Sequence, residues 1–159
     1  MSQNRIDGVS AAMPSVNAIV NTRGADGFDN ALIVGYACNC SYDPPMVMVG
    51  IVPSRYSYDL ITENPNFVVQ FARPDQKKEW SYLGSNSGRE EDKLAALGLD
   101  VRDADEVNAP VITDFPVAIE CEVVDSIKTG SHEMFVGRIH AIHADDDFIV
   151  LGTRVVVGR

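Results

Sequence analysis

Short runs of β-branched and other apolar residues recur along almost the whole chain, and turn-forming residues separate them. Runs of this kind indicate β-strands. The pattern predicts strands over residues 16–22, 30–40, 46–52, 66–72, 115–125, 134–145 and 148–157. The run 46–52 (Met-Val-Met-Val-Gly-Ile-Val) is apolar on both faces, which predicts a fully buried strand. The three aspartates at 145–147 predict an acidic hairpin tip between the last two strands.

Two segments between the strands carry helical signals. Residues 56–63 follow Pro53-Ser54, a common way for a helix to begin. Many strands with two short helices in their connections predict a mainly β fold, an antiparallel barrel with short helical insertions. No internal repeat, low-complexity stretch or linker interrupts the chain, so we expect one domain over residues 1–159.

The second helical segment has the clearer boundaries. Residues 89–97 are preceded by Ser87, and Glu90 lies three positions further on, as in a capping box. Gly98 follows as a natural C-terminal stop. We therefore expect a helix that begins at residue 89 and ends at residue 97.

Composition and charge exclude several classes of protein. The chain has 159 residues, of which 45% are hydrophobic and 23% charged, an ordinary globular balance. Its net charge of -10 argues against nucleic-acid binding, which needs clustered Lys and Arg. No apolar run approaches the roughly 20 residues of a membrane helix. The N-terminus lacks a basic region followed by an apolar stretch, so we expect a cytoplasmic protein.

Cysteine and histidine spacing does not favour a disulfide framework or a metal site. Three cysteines (residues 38, 40 and 121) are too few for a framework and fit reduced thiols. Cys38 and Cys40 would share one strand face, but two thiols fall short of the four ligands of a zinc site. His140 and His143, three apart on a predicted strand, should face opposite sides. We therefore expect no metal.

The segment 30–45 is the first that could carry chemistry. Gly35, Ala37 and Cys38 are small, so a flat ligand could approach the backbone closely there. Exposed N–H and C=O groups would suit a ring that carries donors and acceptors. The alternative is a strand of small core residues that ends in the Pro44-Pro45 turn.

The segment 53–57 (Pro-Ser-Arg-Tyr-Ser) combines features that bind phosphate. The N-terminus of a helix offers free N–H groups and the positive end of the helix dipole. Arg55 adds a guanidinium fork, and Ser54 and Ser57 add hydroxyl groups. The alternative is a capped helix with a surface arginine.

Two further segments have weaker signals. Residues 84–93 form a Gly/Ser loop that leads into the second helix, where Lys93 lies one turn from Arg89, and the alternative is a flexible loop before a solvated helix. His132, before the strand 134–145, could contact a ligand or donate a proton near neutral pH, or could simply hydrogen-bond in its loop. The chain has neither a Gly-x-Ser-x-Gly elbow nor a Gly-x-Gly-x-x-Gly dinucleotide fingerprint.

The order of these segments is more specific than any one of them. From about residue 14 to about residue 150 the chain resembles the flavin reductase-like family, and within it the flavoredoxin-like branch. The matching pieces are Asn30 with Ser41-Tyr-Asp-Pro-Pro-Met-Val, Pro53-Ser-Arg-Tyr-Ser, Ser87-Gly-Arg with Asp92-Lys93, and Gly130-Ser-His with Phe135-Val-Gly. The sequence departs from the family pattern at Ile33, Tyr36 and Gln70, where many relatives carry Thr or Ser, Trp, and Asn.

The resemblance implies a split β-barrel that forms a homodimer, with FMN near the subunit interface. Carried over by position, the residues that would line the isoalloxazine ring are Gly35, Tyr36, Ala37 and Cys38, with Asn30 at the start of their strand. Those that would hold the phosphate are Ser54, Arg55 and Ser57. Those that match loop positions near the flavin or its phosphate are Ser87, Gly88 and Lys93. His132 matches a family histidine near the flavin and the nicotinamide, where it assists binding or protonation.

The resemblance also implies an activity, an NAD(P)H-dependent oxidoreductase that passes electrons through FMN, rather than FAD, to a flavin or another acceptor. The alternative is an FMN-bound electron carrier that a redox partner protein reduces, since an acidic surface steers basic partners. A third reading is a barrel that has lost its flavin and serves as a binding module. The chain ends soon after its last predicted strand, so we expect open access to the flavin.

Overall fold

The computed structural model describes residues 3–9 and 13–146, together with the backbone of 148–151 and 154–157. The strands of this part are β1 (Ala18–Arg23), β2 (Asp29–Val34), β3 (Ala37–Tyr42), β4 (Pro45–Ile51), β5 (Asn66–Gln70), β6 (Val101–Asp103), β7 (Pro110–Ile112), β8 (Val117–Lys128), β9 (Glu133–Ala144), β10 (Phe148–Leu151) and β11 (Arg154–Val157). The helices are α1 (Tyr56–Glu63), α2 (Lys77–Ser85) and α3 (Lys93–Leu97), with a 3₁₀ turn at Pro74–Gln76. No helix of these described ranges is long and apolar enough to cross a membrane.

Seven strands form one antiparallel sheet in the order β2-β1-β5-β8-β9-β4-β3. Its two edges, β2 and β3, are consecutive in the chain and are joined by only Gly35 and Tyr36. The carbonyl of Gly35 accepts a hydrogen bond from Val16 N (3.1 Å), and that of Tyr36 accepts one from Gly50 N (2.8 Å). Because one short joint connects both edges, the sheet curls on itself, and the predicted antiparallel barrel with helical insertions is confirmed.

The barrel interior is filled by alternate residues of the long strands. Phe67 of β5 is fully buried and packs across the barrel against Gly137 of β9. A Cβ atom at Gly137 would lie 2.4 Å from Phe67 Cζ, so the aromatic ring occupies the space of the missing side chain. In a core packed this closely, adding even one methyl group disturbs the packing. Gly137 is therefore needed for the packing of the core.

A buried amide ties the barrel to the short strand β7. Gln70 Nε2 donates to the carbonyls of Ile112 and Val117, both at 3.0 Å. Its Oε1 accepts from Asn21 Nδ2 (2.7 Å) and from Ile112 N (2.9 Å). A buried amide is tolerated when its donors and acceptors are paired, as they are here. Gln70 thus holds β1, β5 and β7 together.

The predicted helix over 89–97 is wrong in its first half. The helix begins at Lys93, and its N-cap is Asp92, whose side chain accepts a hydrogen bond from Ala95 N (3.0 Å). The expected Ser87 capping box does not form, because residues 88–91 make turns in which Glu90 N and Glu91 N both donate to the Ser87 carbonyl. The predicted stop at Gly98 is confirmed by its left-handed φ of 64°.

Helix α2 was not predicted from the sequence. Its segment contains Ser81, Gly84 and Ser85, which are weak helix formers, and Leu83 is its only buried side chain. Packing against β2 supplies what propensity lacks, because Gly84 lies against Ile33 and leaves room for it. A Cβ at Gly84 would approach Ile33 Cγ1 to 3.1 Å.

Two strand predictions also need correction. The predicted strand over 30–40 is two strands, since the chain turns at Gly35–Tyr36 to pass from one sheet edge to the other. The last predicted strand, 148–157, is a hairpin of β10 and β11, which pair with each other and not with β9. The predicted acidic tip therefore does not join β9 to a paired neighbour, and its third residue, 147, lies outside the described part. The remaining predicted strands lie within a few residues of the observed ones.

Candidate functional site

The N-terminus of α1 is open. Arg55 occupies the N-cap position in extended geometry, and no side chain caps the helix. Two amides of this end are used locally: Arg55 N donates to the Val52 carbonyl (2.9 Å) and Tyr58 N to the Arg55 carbonyl (3.0 Å). The first-turn N–H groups of Tyr56 and Ser57 have no acceptor within the described residues. The alternative of a side-chain-capped helix is therefore wrong, and the site offers donors to an anion.

Behind this open end, β2, α1 and the loop 86–92 meet around a buried hydrogen bond. Asn30 Nδ2 donates to Ser57 Oγ at 2.9 Å, and both residues are buried. Gly88 packs directly on this pair, because a Cβ there would lie 2.4 Å from Asn30 Oδ1 and 2.8 Å from a Tyr56 ring carbon. Three of the predicted cofactor-binding residues (Asn30, Ser57 and Gly88) are thus brought together. The glycine at 88 is explained by this packing.

Lys93 also lies at this end, in a different role from the one predicted. Only 2% of the residue is exposed, and its ammonium donates to the carbonyls of Ala31 and Leu83 (2.9 Å for Leu83). It therefore does not share a solvated face with Arg89, which lies outside the helix. Burial lowers the pKa of Lys93 to about 8, the nearby Glu91 carboxylate opposes this shift, and the Arg55 guanidinium adds to it.

Arg55 is exposed and its charge is uncompensated. The arginines at positions 5, 23, 73, 89 and 102 each form an ion pair with an aspartate. Neither Arg55 nor Arg138 forms an ion pair or a side-chain hydrogen bond with any residue in the described part of the chain, but of these two only Arg55 lies at an uncapped helix N-terminus. In a protein with a net charge of -10, a guanidinium without a carboxylate at such a helix end favours an anionic ligand.

The two remaining residues predicted near the phosphate are placed differently. Ser54 is exposed in the turn before α1, beside Arg55. Ser87 is half-buried, and its hydroxyl oxygen accepts a hydrogen bond from Arg89 N at 3.2 Å. The Ser87 hydroxyl therefore already closes its own loop, whereas Ser54 faces solvent at the open helix end.

The residues predicted to line a flat ring lie at the joint between the two sheet edges. Tyr36 is 42% exposed, Cys38 is exposed and Ala37 is half-buried. A Cβ added to Gly35 would meet Ser15 Oγ at 3.4 Å, an ordinary contact. The packing of the protein therefore does not itself require a glycine at position 35.

The imidazole of His132 lies against the ring of Tyr36. The two ring centroids are 4.6 Å apart with the planes inclined by 52°. Ser131 Oγ and His132 Nδ1 are hydrogen-bonded at 2.7 Å, which orients the imidazole. Nε2 makes no hydrogen bond with a described residue, so it is available to a ligand.

A buried carboxylate that the sequence did not indicate links these two places. Glu133, next to His132, accepts hydrogen bonds from Tyr58 Oη of α1 (2.5 Å) and Ser126 Oγ of β8 (2.6 Å). These two hydrogen bonds, to Ser126 and to Tyr58, lower the pKa of Glu133, and the same carboxylate raises the pKa of Tyr58. The partners are 75 and 7 positions away, so no local motif reveals them.

A second titratable cluster lies elsewhere, around His143. Its Nε2 is 2.9 Å from Glu120 Oε1 and 3.4 Å from Asp105 Oδ2, and the three side chains could hold a metal by spacing alone. Glu120 is fully buried and also accepts hydrogen bonds from the backbone amides of Asp105 and Glu106. These bonds fix the loop between β6 and β7 to the sheet. His140 contacts a different carboxylate, Glu122, at 2.8 Å.

The open N-terminus of α1, where Asn30 contacts Ser57, and the Gly35–Tyr36 joint lie at the two ends of strand β2. Four residue steps of β2 separate Asn30 from Val34, about 13 Å at the usual rise of a strand. Gly35 and Tyr36 follow directly. The arrangement thus offers a cationic end and an aromatic, partly exposed end along one strand, which suits an elongated molecule with a phosphate at one end and a planar ring at the other.

Comparison with solved structures supports the fold. Flavoredoxin from Desulfovibrio vulgaris superimposes with a TM-score of 0.84 at 29% identity, covering 91% of this chain and 78% of that one. An FMN-binding protein from Thermus thermophilus with bound p-hydroxybenzaldehyde gives a TM-score of 0.80 at 26% identity, covering all of this chain and 90% of that one.

Curated relatives have similar levels of identity, from 24% to 33%. A protein from Archaeoglobus fulgidus is 33% identical over 117 residues, 73% of this chain and 66% of its own length. A relative from Aeropyrum pernix is 27% identical, and the match covers 90% of this chain and 55% of that protein. The chain thus spans between half and two thirds of these relatives. The NADH:riboflavin 5'-phosphate oxidoreductase of Streptomyces pristinaespiralis is 24% identical over 86% of this chain and 74% of its own.

The family model of the flavin reductase-like domain matches residues 10–153, nearly the full chain. This range includes the open helix end, the strand β2 and the joint with its histidine. With the antiparallel barrel and the solved relatives, the match establishes that the chain belongs to the flavin reductase-like family.

Proposed function

We propose that the chain binds FMN and transfers electrons from NAD(P)H through it to a flavin or another acceptor. The observation that carries the proposal is Arg55, an exposed and unpaired guanidinium at an uncapped helix N-terminus. An acidic protein gains little from a free cation there unless an anion binds, and a phosphate group matches both the fork and the free amides.

The residues at this end fit a phosphate ester. Arg55, the amides of Tyr56 and Ser57, and the Ser54 hydroxyl would contact the phosphate oxygens. Asn30 would act indirectly, because its hydrogen bond fixes Ser57. Lys93 would contribute charge from behind, since two carbonyls already take two of its three donors.

The residues at the joint fit a planar ring. The backbone of residues 35–38 would line the isoalloxazine, and Tyr36 would cover part of it. Bound flavin supplies the hydride and electron chemistry, and the protein positions and tunes it. His132 would use its free Nε2 to hold or donate a proton at the ring or the nicotinamide, while Ser131 fixes its orientation.

We propose FMN rather than FAD as the cofactor, because the chain is similar to flavoredoxin and to an FMN-binding protein. An absorption spectrum from about 300 to 550 nm, recorded before and after desalting, tests this. Bands that remain with the protein support the proposal, and NADH or NADPH should then bleach them. A protein that stays colourless after reconstitution with FMN would end the proposal.

We propose that the protein is a homodimer. Strands β8 and β9 carry three large apolar side chains in solvent: Val124, Ile127 and Ile142 are 48%, 52% and 42% exposed. A second copy of the chain would cover such side chains. Sedimentation equilibrium should give twice the chain mass, and Ile127→Lys should shift the equilibrium towards the monomer. A wild-type monomer at micromolar concentration would exclude the dimer.

An FMN-bound electron carrier is the second candidate. The net charge of -10 favours it, because such a surface attracts a basic redox partner, and the likeness to flavoredoxin is compatible with it. Stopped-flow mixing separates the two functions. Reduction of bound FMN by NAD(P)H within seconds supports the oxidoreductase, whereas reduction only by a partner protein supports the carrier. The cytoplasm remains our proposed location, since the three cysteines are free thiols.

A further inference from the structure

A separate groove lies beside α2. It has a volume of about 320 Å³ and is bounded by the start of β1, the segment after β5 and the first turn of α2. Its walls include Val16, Asn17, Phe71, Arg73, Lys77 and Trp80. This volume is at the lower end of the range usual for small-molecule sites. None of the residues predicted from the family resemblance lies in it.

One wall of the groove carries two basic side chains, Arg73 and Lys77. Residues 73–78 (Arg-Pro-Asp-Gln-Lys-Lys) contain three of the thirteen Lys and Arg residues of the chain. Lys77 is exposed and forms no ion pair with a residue in the described ranges. Arg73 is held in place by Asp145 at 2.7 Å. The groove thus presents one free ammonium next to an anchored guanidinium, which favours an anionic group.

An aromatic ring forms the neighbouring wall. Trp80 is the only tryptophan of the chain, and its Nε1 donates to the Asn17 carbonyl at 3.1 Å. Asn17 adopts a left-handed φ of 55°, which few residues other than Gly, Asn and Asp tolerate. The indole is therefore held in one position before any ligand arrives. A fixed indole is a platform on which a planar base can stack.

The groove is connected to the ring-lining joint. Val16, in its wall, donates its N–H to the Gly35 carbonyl at 3.1 Å. Ser15, the preceding residue, is the nearest neighbour of the position that a Cβ atom at Gly35 would occupy. A molecule with one end in the groove and the other at Tyr36 would cross only this short segment.

We propose that the groove binds the adenosine-phosphate half of NAD(P)H, with the adenine on Trp80 and a phosphate on Lys77 beside Arg73. The inference rests on the proposed function, because it assigns a place to the second half of that reaction's electron donor. The group that the groove would recognise is a purine nucleoside that carries phosphate. NADH offers this group with its diphosphate, and NADPH offers it with the diphosphate and a 2'-phosphate.

Titration of the FMN-loaded full chain with ADP-ribose, which cannot transfer a hydride, tests the groove without using activity. We expect saturable quenching of Trp80 fluorescence and a matching heat signal in calorimetry. Lys77→Glu should weaken ADP-ribose binding about tenfold, because it removes a charge-assisted contact and adds repulsion. Lys78→Glu is the matched control, since it makes the same charge change one residue outside the groove wall and should alter the affinity less than twofold.

Three results would overturn the inference: no ADP-ribose binding, equal weakening in both lysine variants, or equal quenching by inorganic phosphate or benzoate. The FMN spectrum and NAD(P)H oxidation are measured on the same samples. Retained FMN and oxidation without ADP-ribose binding would refute the groove alone. Loss of FMN binding in wild type would refute the proposed function instead. Comparison of 2',5'-ADP with 5'-ADP then identifies the source, since tighter binding of 2',5'-ADP indicates NADPH and equal binding indicates NADH.

Discussion

Two clusters of charged side chains on this barrel, one around His143 and one around Arg55, differ in whether every charged group has a hydrogen-bonding or ion-pair partner. Around His143, each carboxylate has a partner, because Glu120 accepts from two backbone amides and from the imidazole. Around Arg55, the buried members are likewise paired, but the guanidinium itself is exposed and has no partner in the described structure. Both clusters lie where a loop meets the sheet.

The difference separates charges that stabilise the fold from a charge that is free to contact the phosphate we propose. Spacing alone would make the His143 cluster a metal-site candidate. Its hydrogen bonds instead account for every buried oxygen, which is how structural polar groups are normally found. The exposed guanidinium of Arg55 has no carboxylate partner in the described structure, so contacts within the fold do not explain its position. The pattern of partners is thus more informative than the kinds of residue.

The largest expected effect is on stability, at the paired cluster. Glu120→Ala should lower the free energy of unfolding by about 3–5 kcal/mol, because the fully buried carboxylate is lost and the backbone amides of Asp105 and Glu106 and the His143 imidazole lose their acceptor. Urea denaturation measures this change. The matched control is Glu122→Ala, which removes an exposed pair with His140 and should cost less than about 1 kcal/mol. Equal losses of unfolding free energy in the two variants would show that the cluster around His143 does not stabilise the fold more than an exposed ion pair does.

The next effect is on binding, at the unpaired cluster. Arg55→Ala should weaken FMN binding about 10- to 100-fold, since a hydrogen bond to a charged group contributes about 1.5–3 kcal/mol. Stability of the FMN-free protein should hardly change. FMN fluorescence titration measures the affinity. Arg138→Ala, at another arginine that forms no ion pair in the described part, is the control, and unchanged affinity in both variants would place the phosphate elsewhere.

A smaller effect is expected at the joint. His132→Gln should lower the rate of FMN reduction by NAD(P)H about tenfold, below the usual range for general acid–base catalysis because the flavin supplies most of the chemistry. FMN affinity should stay within twofold of wild type. Stopped-flow absorbance measures the rate. An unchanged rate would show that His132 takes no part in FMN reduction and only packs against Tyr36.

The smallest effect is a pH dependence that moves binding and stability in opposite directions. Because the pKa of Lys93 is lowered to about 8, its charge is lost above that pH and FMN binding should weaken a few-fold. The unfolded chain keeps this proton up to pH about 10.4, so the contribution of Lys93 to stability rises between about pH 8 and 10.4. Both trends should vanish in Lys93→Met, measured by titration and urea unfolding at several pH values.

The sequence predicted best what depends on neighbours along the chain. The strand periodicity and the stop at Gly98 agree with the structure. The burial of Lys93 was not predicted, because it depends on contact with α2, whose sequence contains weak helix formers. Glu133 and Gln70 were missed as organising residues because their partners lie up to 75 and 49 positions away. Such partners can be recognised only when the order of the strands in the sheet is known.

The joint at Gly35–Tyr36 has a consequence for how the molecule is assembled. The β1–β2 and β3–β4 hairpins connect near neighbours, but β4 must find β9, with Met46 opposite Arg138 about 90 residues further on. Closing such long loops is slow compared with local pairing. The two sheet edges therefore come together only after the intervening strands are in place. Because the residues that we propose to line the flavin ring lie at this closure point, cofactor binding would require that the sheet has already closed.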